Sequence, residues 1–157
     1  GKSNNHLGNS KYMTIMRSKE EGGTPKIDLN EELKNGKFVL EVINNKLVES
    51  SHDVGEGGIL VALTEMCMAG DLGITIDIEK DFPHGFYFGE DQSRYLLEIK
   101  EKNYDQIKYV ANSYNVFFEK LGIIGGDSIK IKNVGEKKVS ELRDNFELGV
   151  GAITFNE

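Results

Sequence analysis

Apolar residues recur most regularly between positions 29 and 48. Leu29, Leu33, Val39, Leu40, Ile43 and Leu47 lie near a 3.6-residue spacing, which predicts an amphipathic helix with these side chains as its apolar face. Asp28 is placed as its N-cap, and Gly36 weakens it by roughly 1 kcal/mol relative to alanine. A short buried strand is expected over 47–54. A second helix follows over 59–69, apolar nearly all round (Ile59, Leu60, Val61, Leu63, Met66, Met68) and so buried on more than one side, with Gly70 ending it. Residues 73–79 alternate strictly with β-branched positions, as a half-buried strand does.

The second half continues the alternation. Residues 81–92, with Pro83, Gly85 and Gly89, are expected to be a loop, and 94–100 a strand. Asn103 with Gln106 three residues on suggests a capping box for a helix carrying Ile107, Val110, Ala111 and Tyr114. Residues 116–124 are expected to be a strand, Gly125-Gly126-Asp127 a turn, and 128–132 a strand pairing back as a hairpin. Val139, Leu142 and Phe146 mark a short last helix and then a tail. Before all this, Ser10 to Met16 suggests a short helix after an Asn-, Gly- and Ser-rich opening. The order of elements gives an α/β (α+β) architecture, helices on a mixed sheet. Residues 1–26 form an arm with one short helix, and 27–157 form the domain.

Composition narrows the functional classes. At 157 residues the chain has the size of one domain. With 26 acidic and 19 basic residues its formal charge is −7, which disfavours a nucleic-acid partner. No apolar run approaches the roughly 20 residues of a membrane span. One cysteine, Cys67, cannot form an internal disulfide and suits a reducing cytoplasm. Its place in an apolar helix makes it inert. The three histidines His6, His52 and His84 have no zinc spacing. The first methionine is Met13, so a domain cut from a longer protein is expected.

Two segments carry candidate chemistry. Ser51-His52-Asp53-Val54-Gly55-Glu56-Gly57-Gly58 is a strand end, a glycine-rich turn and a helix start. Free N–H groups there can hold a phosphate, and Asp53 and Glu56 can hold Mg²⁺; equally, either acid can simply cap the helix. Phe88-Gly89-Glu90-Asp91-Gln92-Ser93-Arg94 gathers acid, amide, hydroxyl and guanidinium ahead of a strand. Arg94 can grip a phosphate there, or pair with an acid in a solvated turn. Gly122-Ile123-Ile124-Gly125-Gly126-Asp127 lacks phosphate-loop spacing and is expected to be a turn.

Together these segments resemble the last domain of the phosphoribosylformylglycinamidine synthase family. The stretch from Leu47 to Gly58 carries its histidine–aspartate–glycine motif, Val61 to Met66 and Ala69 to Ile74 follow in order, and Phe88 to Arg94 is similar to its F-G-E-S-Q-S-R loop. Leu7-Gly8-Asn9-Ser10-Lys11-Tyr12 is similar to its L-G-G-S-E-Y opening, and Ile124-Gly125-Gly126-Asp127 to its closing turn.

The resemblance implies a three-layer α/β/α fold, partly ferredoxin-like and of the aminoimidazole ribonucleotide synthetase C-terminal type. It implies a parent enzyme that makes formylglycinamidine ribonucleotide from formylglycinamide ribonucleotide, ATP and ammonia, with Mg²⁺. A glutaminase subunit would supply the ammonia and a small bridging subunit would complete the complex. The natural-looking end Ala152 to Glu157 implies the domain of the second half, inactive alone, with the catalytic residues elsewhere. His52, Asp53, Glu56, Gly57, Gly58, Glu90, Gln92, Ser93 and Arg94 would then border substrate or an auxiliary nucleotide, or only shape an interface. Asp91 stands where the family has serine, and its charge is expected to oppose phosphate; Gly55 removes a hydroxyl from the first motif.

Overall fold

The computed structural model describes residues 1–18, 21–78 and 83–154, with side chains to position 149. Two compact units make up the chain: Gly1–Ala62 with Lys80–Glu119, and Leu63–Glu79 with Lys120–Glu157.

In the first unit a short helix α1 (Lys11–Arg17) is capped by Ser10, whose Oγ accepts from the Met13 N–H. The long helix α2 (Leu29–Asn44) starts where expected: Asp28 accepts from the N–H groups of Asn30 and Glu31 at 2.9 and 3.2 Å. Strand β1 (Val48–Asp53) pairs antiparallel with β3 (Tyr95–Ile99) as a two-stranded ribbon. Helix α5 (Tyr104–Ser113) packs beside α2. Phe38, Val39, Val42, Leu47, Ile107, Ala111 and Val116 form the core between them, with Tyr95, Leu97 and Ile99 of the ribbon packed against it. Burying each large side chain of this kind stabilises the fold by roughly 1.5–3 kcal/mol.

The second unit holds a four-stranded mixed sheet in the order β4 (Gly122–Ile124), β2 (Ile74–Ile76), β5 (Ser128–Ile131), β6 (Gly135–Lys138). The central pair is parallel and puts Ile74 beside Ile129 and Ile76 beside Ile131, all four buried. Helix α6 (Val139–Thr154) follows, and its Arg143 binds the Met68 carbonyl and Asp71 at the end of α3 (Gly58–Gly70). A cation is favoured at that negative helix end.

Several local expectations give way to the structure. The apolar face assigned to α2 is largely the outer one: Leu29, Leu33, Leu40 and Ile43 are exposed, and the core face is Asn35, Phe38, Val39 and Val42. The expected loop over 81–92 contains helix α4 (Pro83–Phe88), anchored by buried Phe86 and Tyr87; positions 81 and 82 lie outside the described residues. Asn103 makes no side-chain cap. A 3₁₀ turn (Glu101–Asn103) precedes α5, and the Asn103 amide donates to the Leu47 carbonyl at 2.9 Å. The strand expected over 116–124 is only Gly122–Ile124. It does not form a hairpin with β5, because β2 lies between them; the hairpin is β5 with β6. β1 is mostly exposed rather than buried. α3 runs through Gly70, and the left-handed residue after it is Asp71.

Candidate functional site

The two candidate segments meet in the first unit, and one carboxylate joins them. Glu90 Oε1 accepts from the Gly57 N–H at 2.9 Å and from the Lys11 N–H at 2.8 Å. It therefore sits at the N-terminal ends of both α3 and α1, where free N–H groups attract an anion. Lys11 reinforces the arrangement through an ion pair with Glu56 at 3.5 Å. At this helix start, where either a phosphate or a capping acid was expected, the Gly57 N–H meets an anion of the chain itself.

Glycine is required at this junction. Gly57 and Gly58 have φ of 80° and 74°. A Cβ on Gly58 would lie 2.7 Å from the carbonyl oxygens of Tyr87 and Gly89, so the end of α4 approaches the start of α3 too closely for any side chain. His52 and Asp53 lie at the end of β1, opposite Leu96 and Tyr95. Asp53 is exposed, with its carboxylate 3.8 Å from His52 Nδ1.

The other loop is locked from within. Arg94 is 3% exposed; its guanidinium donates to the carbonyls of Asp91 (3.1 Å) and Gly89. Burial lowers its pKa, opposed by the charges of Asp91 and Glu90. Its Nη1 is buried with no hydrogen-bond partner among the described residues. Asp91, also 3% exposed, turns inward. One of its oxygens accepts from the N–H groups of Asn4 (2.9 Å) and His6 (3.4 Å) and from Ser3 Oγ (3.4 Å). The residue expected to repel phosphate is the clasp of the N-terminal arm.

Ser93 has a left-handed φ of 63°. Asn35 holds it there by donating to its carbonyl and its Oγ at 3.0 and 2.9 Å, while that Oγ donates to the Glu31 carbonyl. Gln92 is exposed on a cleft of about 460 Å³ that Lys2, Lys26, Glu32, Asn35 and Phe117 also line. Asn35, Lys11 and the inward role of Asp91 were missed by sequence reasoning. An asparagine in phase with Phe38 and Val42 was the only available signal for Asn35. Among the described residues no three His, Cys, Asp or Glu side chains come together as a metal site, and no helix is long and apolar enough to cross a membrane.

Residues 2–132 match the family described as AIR synthase related protein, C-terminal domain. The chain is 38% identical over 149 residues to phosphoribosylformylglycinamidine synthase subunit PurL of Azorhizobium caulinodans, covering 94% of this chain and 20% of that protein. The Rhodospirillum rubrum subunit is 39% identical over 141 residues, covering 90% and 19%. The chain thus spans about a fifth of the length of the curated relatives it matches. The solved synthase II of Thermotoga maritima superposes with a TM-score of 0.67 at 24% identity, covering 75% of this chain and 22% of that one. PurL of T. maritima complexed with ATP gives 0.65 at 21% identity, covering 86% and 23%. These likenesses show the mixed α/β fold, and with the match over residues 2–132 the chain belongs to the family of AIR synthase related C-terminal domains.

Proposed function

We propose that this chain is an AIR synthase related C-terminal domain of a purine-biosynthesis ligase. The parent would convert formylglycinamide ribonucleotide, ATP and ammonia to formylglycinamidine ribonucleotide, ADP and phosphate. The observation that carries the reading is the alignment of 94% of the chain to one fifth of a synthase subunit. In this reading residues 27–157 are the domain and 1–26 an arm, and the domain is inactive alone. It works beside the remaining domains of the same synthetase, a glutaminase subunit that supplies ammonia and a small bridging subunit, in the cytoplasm.

Among the described residues no three His, Cys, Asp or Glu side chains gather to hold Mg²⁺ for ATP. Glu56 pairs with Lys11, Asp53 stands exposed beside His52, and the N–H of Gly57 is taken by Glu90. This arrangement supports placing catalytic ATP and Mg²⁺ in the rest of the parent. Here Gly57, Gly58, Glu90, Ser93 and Arg94 set the backbone, while His52, Asp53, Glu56 and Gln92 present outward groups to a neighbouring domain or its ligand.

A second reading is a structural module with an auxiliary, non-catalytic nucleotide site. The cleft beside Gln92 favours it, since its size is in the range of small-molecule pockets. The test is amidine formation by the full-length polypeptide and by these 157 residues. Activity only in the former supports the ligase reading, and turnover by the isolated chain would sink it. Calorimetry with ADP on the isolated chain and on Gln92→Ala separates the second reading.

A further inference from the structure

The exposed stripe on α2 has the pattern of a packing seam. Leu29, Leu33, Leu40 and Ile43 are 77, 58, 60 and 39% exposed. With Gly36 between them their spacing is four, three, four and three residues, the alternation by which one helix lies along another. At 3.6 residues per turn the five positions fall within about 80° of helix surface. Glu32 and Lys37 border them, and Phe38 and Val42 are buried on the opposite side. A helix facing water on this side has no need of four large apolar residues in register.

Gly36 sharpens the pattern. A Cβ there would meet nothing within 4 Å among the described residues, and its φ lies outside the left-handed region, so these residues make no demand for glycine. Along a seam, a missing side chain lets a neighbouring backbone come close.

Area decides what covers it. A stripe along 16 residues is about 24 Å long and on the order of 300 Å² in area. A stable pair of separate molecules uses roughly 800 Å² from each. A tethered helix needs much less, because the tether supplies an effective concentration near the millimolar range. The curated relatives are about five times longer than this chain.

We infer that the Leu29–Ile43 stripe is the docking seam for an α-helix with a matching apolar stripe, carried by the same polypeptide outside these 157 residues. This rests on the reading of the chain as one domain of a longer synthetase. The test introduces Leu33→Cys and Leu40→Cys separately into the full-length polypeptide and into the 157-residue chain. Alkylation by iodoacetamide is followed, each rate normalised to the same chain in urea, with buried Cys67 as background. Alkylation should slow at least tenfold in the full-length polypeptide only, and the isolated chain should sediment as a monomer. Equal rates in both would overturn the inference, as would an isolated dimer dissociated by Leu40→Glu, which would make a second copy the occupant. Amidine formation scores the functional reading independently. An active synthetase with a freely labelled seam removes only this inference, and a protected seam in a polypeptide that makes no amidine removes only the functional reading.

Discussion

Glu90 and Gly57 face each other across 2.9 Å, and the same carboxylate oxygen also holds the first N–H of α1. Removing it leaves the part-buried Gly57 N–H without this acceptor and returns the exposed Lys11 N–H to water. Glu90→Ala should cost about 1–3 kcal/mol in urea unfolding, and Glu90→Gln, which keeps an acceptor but loses the charge, about 1 kcal/mol. Equal losses from the two would mean that charge is irrelevant to the joint.

Asp91 should act on the arm directly, and on buried Arg94 through its charge. In Asp91→Ala the amides of Asn4 and His6 lose their shared acceptor. Their hydrogen exchange should quicken by tenfold or more, while the amides of α2 and α5 change little. Unchanged exchange at Asn4 would show that the arm is held by other contacts.

Two glycines should respond oppositely. Gly58→Ala forces a Cβ onto two backbone carbonyls at positive φ and should cost roughly 3 kcal/mol or more. Gly36→Ala fills open space in a helix interior and should stabilise the 157-residue chain by about 0.5–1 kcal/mol. Thermal melts of the two variants check both signs.

Asn35 and Ser93 should be coupled. Asn35→Ala removes both of its bonds to Ser93, which sits at φ 63°, and should cost about 1–3 kcal/mol. The cost should shrink in a Ser93→Gly background, where glycine takes that φ freely. A double-mutant cycle measures the difference, and strict additivity would dissociate the pair.

The pattern of legible and illegible elements has physical causes. α2 and its Asp28 cap could be read because capping and periodicity are local properties. Its core face could not, because the helix carries two apolar stripes and the buried one includes a polar Asn35. α4 was hidden by Pro83, Gly85 and Gly89, which normally punctuate loops, although its aromatic residues anchor it. The parallel pairing of β5 with β2 is a long-range choice that no short window contains, and β6, fully exposed and rich in Lys and Glu, gives no strand signal. At the site, both motifs were found by residue type. What type alone does not reveal is direction: Asp91, Arg94 and Glu90 point at the chain's own backbone.

The Asp91 clasp has a consequence for the order of folding. It joins residues 85 and 87 positions apart, and in an unfolded chain closing such a loop for one carboxylate is entropically unfavourable. Once α2, the ribbon and α5 have brought the loop into place, only the few residues of the arm remain to be ordered. The arm should therefore dock last and detach first, as a sub-global opening that leaves the rest of the fold standing.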